Sequence, residues 1–178
     1  MTAKKELWVL LSMFVLPIAL GSAFYFLNPG YFSGNTVNYG ELVQPIITTN
    51  EDGIALEGGN TLQGLWTLAY TAEHCDAKCN TSIKNIKDIR ILMNDNMRRV
   101  QRIAIIADAS TPSDEDKGLI NATIASDAVK TQLQVYPQRS IFLIDPLGNI
   151  MLHYQPEGLD IKGVIRDLKR LFKYSRIG

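Results

Sequence analysis

The segment WTLAYTAEHCDAKC, residues 66–79, is an apolar run that leads directly into two cysteines four positions apart. Cys75 and Cys79 are the only cysteines of the 178-residue chain, and His74 immediately precedes the first. A short apolar run bounded by polar residues is typical of a strand buried on both faces of a sheet. The segment therefore predicts a core strand that delivers a cysteine pair to the start of the next helix.

Hydrophobic periodicity predicts the other elements of an α/β fold. A first strand or extended arm is expected at 40–49, and apolar residues at three- and four-residue steps predict a helix from about Cys75 to Met97. A strand at 100–108, a polar loop at 111–117, a helix at 119–133, a hairpin at 140–154 and a helix at 159–174 follow. This alternation requires a parallel central pair, and the hairpin makes the sheet mixed. The order predicts a thioredoxin-like mixed sheet flanked by helices.

The N-terminal stretch 7–27 has no charged residue and contains Pro17. As a helix it spans roughly 30 Å, the thickness of the bilayer hydrocarbon. Lys4 and Lys5 precede it, so the positive-inside rule leaves the N-terminus in the cytoplasm and exports the rest. A signal peptide cleaved near Gly21 is the alternative, but the apolar run exceeds a usual signal core. We expect an anchor at 1–28, a linker at 29–39 and one domain at 40–178.

The charge balance excludes an electrostatic attraction to nucleic acid, because 18 basic and 18 acidic residues give a net charge of zero. The only basic cluster is Arg98, Arg99 and Arg102, which flanks a predicted strand. We expect these three side chains to form a solvated edge, with a docking patch as the alternative.

The cysteine pair is interpreted as a site, since one bridge over so short a loop stabilises little. Residues i and i+4 of a helix have Cβ atoms about 5–6 Å apart, whereas a disulfide needs roughly 3.5–4.5 Å. A regular helical turn therefore favours a soft metal, Cu(I) or Zn(II), between the sulfurs of Cys75 and Cys79. A looser first turn also allows a disulfide.

The chain has only two histidines, His74 and His153. His74 can turn towards a metal at Cys75 or point into water as a loop histidine. His153 lies in the last hairpin strand, so we expect it on one sheet face, with a role as a ligand as the less favoured alternative. No Ser/His/Asp arrangement is evident from the sequence.

The run LWTLAYTAEHCDAKC, the N-terminal anchor, the hairpin SIFLIDPLGNIMLHY and the closing helix resemble the Sco/SenC family of membrane-anchored, thioredoxin-like proteins that assemble cytochrome c oxidase. The resemblance implies that Cys75 and Cys79 are copper thiolates, and His74 matches the family's histidine before the first cysteine. Asp76 and Asn80 replace the prolines that follow the two cysteines in that family.

The resemblance is incomplete at the third copper ligand of that family, a histidine shortly before the hairpin. The corresponding position falls near Pro137, and no histidine lies nearby. Pro137 is instead interpreted as similar to the cis-proline that faces the cysteines in thioredoxins.

Three hypotheses follow from these residues. The first is an assembly factor of the bacterial inner membrane, with its domain in the periplasm or, equivalently, in the mitochondrial intermembrane space. It would deliver Cu(I) to cytochrome c oxidase, or reduce the cysteines of its copper site, in contact with an oxidase subunit or other assembly factors. The second is a thiol–disulfide oxidoreductase in which Cys75 attacks and Cys79 resolves. The third is a thioredoxin-like scaffold without catalysis. In each case residues 7–27 lie in the lipid bilayer.

Overall fold

The computed structural model describes residues 3–28, 37–49, 53–108, 110, 112, 118–175 and 177. The chain divides into two units, Met1–Val37 and Asn38–Gly178. The predicted linker at 29–39 lies outside the described residues up to position 36, and the predicted polar loop at 111–117 lies outside them except for position 112.

The first unit contains α1, Ala3–Leu27, with Pro17 inside the helix. Its stretch Lys5–Leu27 is long and apolar enough to cross a membrane, and its residues are exposed. A helix that is apolar on all sides needs an apolar solvent, which a bilayer provides.

The second unit is built on seven strands and three helices, within the described residues. The strands are β1 (Glu41–Thr48), β2 (Ile54–Leu56), β3 (Trp66–Ala72), β4 (Val100–Ile106), β5 (Leu119–Ile124), β6 (Ser140–Ile144) and β7 (Asn149–Tyr154). The helices are α2 (Ala77–Leu92), α3 (Asp127–Leu133) and α4 (Ile161–Tyr174), with 3-10 turns at Glu57–Gly59 and Asn94–Arg99.

The strands form one sheet in the order β1-β7-β6-β3-β4-β5-β2. Strands β3, β4 and β5 are parallel, whereas β6, β7, β1 and β2 join antiparallel to their neighbours. The prediction of a thioredoxin-like mixed sheet flanked by helices is confirmed. Strand β3 lies at the centre, between β4 and β6, because its apolar residues suit burial on both faces.

Two apolar layers cover the two faces of the sheet. On one face Trp66, Leu68 and Tyr70 of β3 pack with Cys79 and Ile83 of α2 and with the buried side of α4. On the other face Ala69, Ile103 and Phe142 pack with β1 and with Val129 of α3. The cysteine-bearing helix is therefore fixed to the α2/α4 face of the sheet by its own buried residues.

The predicted helix at 119–133 is wrong in its first half. Residues 119–124 are the strand β5, where Leu119 pairs with Arg102 and Ala122 with Ile105. Pairing with the buried strand β4 decides the structure, since strand preference depends strongly on tertiary context. The helix predicted from about Cys75 to Met97 begins two residues later, at Ala77, and ends at Leu92. The sequence does not predict the short edge strand β2.

The prediction of a solvated arginine edge is wrong for two of its three residues. Arg102 is buried in β4. The Arg99 guanidinium donates to the carbonyl oxygens of Ser175 and Ile177 and lies 4.3 Å from the centroid of the Phe172 ring. Arg99 therefore connects the end of α4 to the turn before β4, and of the three arginines only Arg98 is exposed.

A buried carboxylate ties the start of the second unit to α4. Asp167 Oδ2 accepts hydrogen bonds from the backbone N–H groups of Tyr39 and Gly40, at 2.9 and 3.0 Å, and from the Tyr154 hydroxyl at 3.1 Å. Asp167 is 1% exposed. Burial raises the pKa of Tyr154, and the neighbouring Asp167 carboxylate raises it further.

Candidate functional site

Cys75 and Cys79 form a disulfide, with Cα atoms 5.0 Å apart. The helix α2 begins only at Ala77, so Cys75 lies outside the regular turn. The expectation that a helical turn would favour a metal over a disulfide assumed a helix from Cys75 onwards, and that assumption is wrong. The extended backbone of Asp76, at φ −114° and ψ −167°, brings Cys75 back towards Cys79.

Asp76 caps the helix between the two cysteines. Its Oδ1 accepts the backbone N–H of Cys79 at 3.0 Å, and its Oδ2 accepts from the Arg139 guanidinium at 2.7 Å. The hydrogen bond from Cys79 and the one from Arg139 lower the pKa of Asp76 to about 2. Asp76 is thus ionised at neutral pH and joins the disulfide loop to the segment that precedes β6.

The backbone of Cys75 is held from the end of β4. Its N–H donates to Ser110 Oγ at 2.7 Å, and Ser110 Oγ in turn donates to Asp108 Oδ1. The Asp108 N–H also donates to the carbonyl oxygen of Glu73 at 3.0 Å. The Ser110 hydroxyl lowers the pKa of Asp108, and His74 has a smaller effect in the same direction. The segment before Cys75 is therefore held in place on one side by residues that follow β4.

The two sulfur atoms differ in accessibility. Cys79 is fully buried, at 0% exposure, whereas Cys75 is only partly buried. Cys75 Sγ lies 3.7 Å from Asn80 Oδ1, which is a van der Waals contact while the sulfur carries no proton. A thiolate approaching from solvent can therefore reach Cys75 but not Cys79.

The structure separates the two histidines. His74 is exposed and directly precedes Cys75. His153 is 2% exposed and lies opposite Phe142 in the β6–β7 pair, on the sheet face away from the cysteines. Its Nε2 lies 3.0 Å from Ser140 Oγ and its Nδ1 lies 3.2 Å from Glu41 Oε2. The prediction that His153 lies on one face of the sheet is confirmed. That face is the one away from the cysteines, so His153 is not placed near them.

Ser140, His153 and Glu41 together have the order of a catalytic triad, which is not evident from the sequence because the three residues lie far apart in it. The Ser140 hydroxyl is fully buried and donates to the carbonyl oxygen of Pro137 at 2.8 Å. A nucleophile must reach its substrate, so this serine cannot act as one. The three residues instead hold the segment before β6 against β7 and β1.

The prediction that Pro137 is similar to the cis-proline of thioredoxins is wrong. Among the described residues the cis peptide bond is Gln44–Pro45, in β1. The residue of this segment that does contact the cysteine loop is Arg139, through Asp76. No sequence signal links Arg139 to Asp76, because the contact requires β6 to lie beside β3.

A cavity of about 920 Å³ adjoins the cysteine loop on the α2 face. It is bounded by α2, by the segment before β6 and by the turn between β7 and α4. An exposed ion pair between Lys78 and Glu157, at 2.7 Å, connects two of these walls. In the part of the chain that the structure describes, no group of three or more His, Cys, Asp or Glu side chains is arranged to hold a metal ion.

The family model that describes a transmembrane-like, thioredoxin-like, C-terminal domain matches residues 66–175. The chain belongs to this family. A search of curated proteins finds no match.

The fold is similar to that of solved Sco proteins. The apo Sco1 protein from Thermus thermophilus has a TM-score of 0.53 at 19% identity, over 76% of this chain and 97% of that one. Copper-bound Sco1 from yeast has a TM-score of 0.53 at 16% identity, over 79% and 96%. A SCO1/SenC family lipoprotein from Bacillus anthracis has a TM-score of 0.51 at 17% identity, over 72% and 98%. The resemblance to Sco/SenC proteins is thus confirmed at the level of the fold, with a divergent sequence.

Proposed function

We propose that this chain is a membrane-anchored thiol–disulfide exchange protein that reduces the cysteines of a copper site during assembly of cytochrome c oxidase. The observation that carries the proposal is the Cys75–Cys79 disulfide, with one sulfur partly exposed and the other buried. The oxidase as destination rests on the fold shared with Sco proteins.

The reduced protein would act in two exchange steps. The Cys75 thiolate attacks one sulfur of the substrate disulfide, forms a mixed disulfide and releases the other substrate sulfur as a thiolate. The Cys79 thiolate then attacks Cys75 Sγ, closes the disulfide seen here and releases the second substrate thiolate. Two electrons pass to the substrate, whose thiolates take up the two protons that the cysteines lost. An exported dithiol protein would supply the electrons that restore the reduced form.

The surroundings of the pair support this sequence of steps. Cys75 lies just before the start of α2, where the partial positive charge of the helix favours a thiolate. Asp76 opposes that effect, and the Arg139 guanidinium at 2.7 Å offsets the carboxylate. The adjoining cavity of about 920 Å³ has room for a short segment of a substrate polypeptide.

The proposed location is the exported side of a bacterial inner membrane, or the equivalent intermembrane space of mitochondria. The helix α1 is long enough to cross a membrane, and basic residues precede it. A disulfide-forming site suits an oxidising compartment. The division into an anchor at 1–28, a linker at 29–39 and a domain at 40–178 is part of the same proposal.

Single-cysteine variants of the full chain in nanodiscs test the proposed exchange. The reduced wild type should reduce a peptide disulfide, and Cys75→Ser should abolish that activity. Cys79→Ser should accumulate a mixed disulfide between Cys75 and the peptide, visible as a mass shift that dithiothreitol reverses. The proposal fails if Cys79→Ser forms no adduct while its Cys75 remains reactive towards a small maleimide.

Copper delivery is the second candidate, because copper is bound in the solved structure of the similar yeast Sco1. Reduction would free two thiolates at Cys75 and Cys79, and thiolates select Cu(I). His74 is the one histidine placed near them, on the exposed side of Cys75. Copper would here be cargo to be passed on, not a resident cofactor.

An anaerobic Cu(I) titration of the reduced full chain against a competing chelator tests this candidate. One equivalent of Cu(I), lost in both cysteine variants and weakened in His74→Ala, would support it. His153→Gln is the matched control, because His153 lies on the other face of the sheet. A reduced chain that takes up no Cu(I) would rule out copper delivery and leave the exchange function standing.

A further inference from the structure

Six of the ten large hydrophobic side chains that are exposed on the described part of the second unit lie at one end of it. They are Ile91, Leu92, Met97, Leu147, Tyr174 and Ile177, and we call this surface the distal face. Isolated exposed apolar side chains are common, but a set gathered at one end of a domain usually marks an interaction site.

The topology explains why these residues meet. Trp66 pairs with Val100 at the start of the parallel strands β3 and β4, so the end of α2 and the turn before β4 lie at this end. The β6–β7 turn lies here too, since Thr67 pairs with Ile144. The cysteines follow the opposite end of β3, roughly 20 Å away for a seven-residue strand.

The end of α4 completes the distal face. The Trp66 and Phe172 rings are in contact, with centroids 5.7 Å apart, and Arg99 holds the backbone of Ser175. A depression of about 540 Å³ is lined by Leu147, Tyr174 and Ile177, with Trp66 among its walls. The distal face thus has exposed apolar tips around an apolar recess.

Basic residues lie beside these apolar tips. Arg98 and Lys173 are exposed, and Arg99 lies between the two segments that carry them. The acidic residues at this end include Asp95, which is exposed in the same turn as Arg98. The Asp145 carboxylate is used within its own turn, where it accepts from the N–H groups of Leu147 and Asn149. Aromatic and aliphatic tips interleaved with Arg and Lys are the composition of surfaces that bind anionic bilayers.

We propose that the distal face docks on an anionic lipid surface. The exposed Arg98 and Lys173 complement the negative charge of phospholipid headgroups, and the apolar tips would enter the boundary between headgroups and acyl chains. The helix α1 would keep such a surface at high effective concentration. Eleven peptide units separate Leu27 from Asn38 and reach at most about 36 Å when fully extended. This reach exceeds the roughly 20 Å length of β3 between the cysteine end and the distal face. Docking in this way would leave Cys75 facing away from the lipid, open to a substrate.

Quenching of Trp66 by brominated lipids tests the proposal. The chain has two tryptophans, so Trp8→Phe leaves Trp66 as the only emitter, beside the distal face. The full chain is reconstituted in vesicles of brominated phosphatidylcholine, with or without about 30% phosphatidylglycerol. We expect about twofold stronger quenching in the anionic vesicles, and a return to the neutral level in about 0.5 M NaCl.

Charge-introducing variants locate the contact. Leu147→Glu and Tyr174→Glu, at side chains 63% and 79% exposed, should each lower the quenching in anionic vesicles to the neutral level. Val135→Glu is the matched control, because Val135 is 84% exposed but lies before β6, at the cysteine end. Equal quenching in both vesicles, or an equal effect of Val135→Glu, would overturn the proposal. Loss of thiol exchange alone would not affect it.

Discussion

Replacing Asp167 with alanine should destabilise the domain by about 3 kcal/mol, because a buried carboxylate that accepts three hydrogen bonds is lost. Hydrogen bonds to a charged group contribute about 1.5–3 kcal/mol each. The sum is reduced here because Tyr39 is half-exposed and its N–H can turn to water. The Gly40 N–H and the Tyr154 hydroxyl would stay buried without an acceptor. For a domain of this size the loss corresponds to a melting temperature lower by about 10 °C.

The assay is thermal unfolding of the full chain in detergent, with the disulfide intact and Trp66 fluorescence followed in the Trp8→Phe background. Asp160→Ala is the matched control on the same helix. Asp160 is exposed and accepts one N–H, from Gly163 at 3.0 Å, so its loss should cost about 1 kcal/mol. If Asp167→Ala lowered the melting temperature no more than Asp160→Ala, the assignment of Asp167 as a buried clamp would be refuted.

Three further outcomes are expected around the site. Asp76→Asn should flatten the loss of stability in acid. The pKa of Asp76 falls from 3.8 to about 2 on folding. The stability that its ionised carboxylate contributes is therefore complete above pH 3.8 and disappears as the pH falls through 2. Urea midpoints of the wild type and the variant between about pH 5 and pH 2 would show the difference in slope, and parallel curves would contradict it. Cys75 should react with a maleimide in the reduced chain much faster than Cys79, which mass spectrometry of the labelled peptides measures; equal rates would contradict the difference in burial. His153→Leu should lower the urea midpoint, since it leaves Ser140 without a ring nitrogen, yet should leave the rate of peptide reduction unchanged; a parallel fall in that rate would show that the buried cluster takes part in exchange.

The parts of the fold that could be predicted from sequence are those fixed by local pattern. The run of β3 is apolar along its length, and the turn at Gly148 has the positive φ that a glycine adopts without strain. Strand β5 could not be predicted, because residues 119–124 become a strand by pairing with β4. The alternation of Asn121 and Thr123 with apolar residues is compatible with a strand, but over so short a segment it does not exclude a helix.

The cysteine pair was recognisable from its placement after a buried strand, whereas its geometry depended on contacts distant in sequence. The start of α2 is set by Asp76, which is visible in the sequence as a residue type that caps helices. Its pairing with Arg139, and the hold of Ser110 on the backbone of Cys75, depend on the positions of β6 and β4. Those tertiary contacts hold the loop in the conformation in which the pair closes as a disulfide.

The most direct test of the proposed exchange is the capture of its intermediate in the full-length Cys79→Ser chain. The reduced variant in nanodiscs is mixed with a peptide disulfide, quenched in acid and weighed by mass spectrometry. The proposal predicts one peptide attached through Cys75, released by a reductant and absent from Cys75→Ser. A chain that stays unmodified while its Cys75 still reacts with maleimide would contradict it.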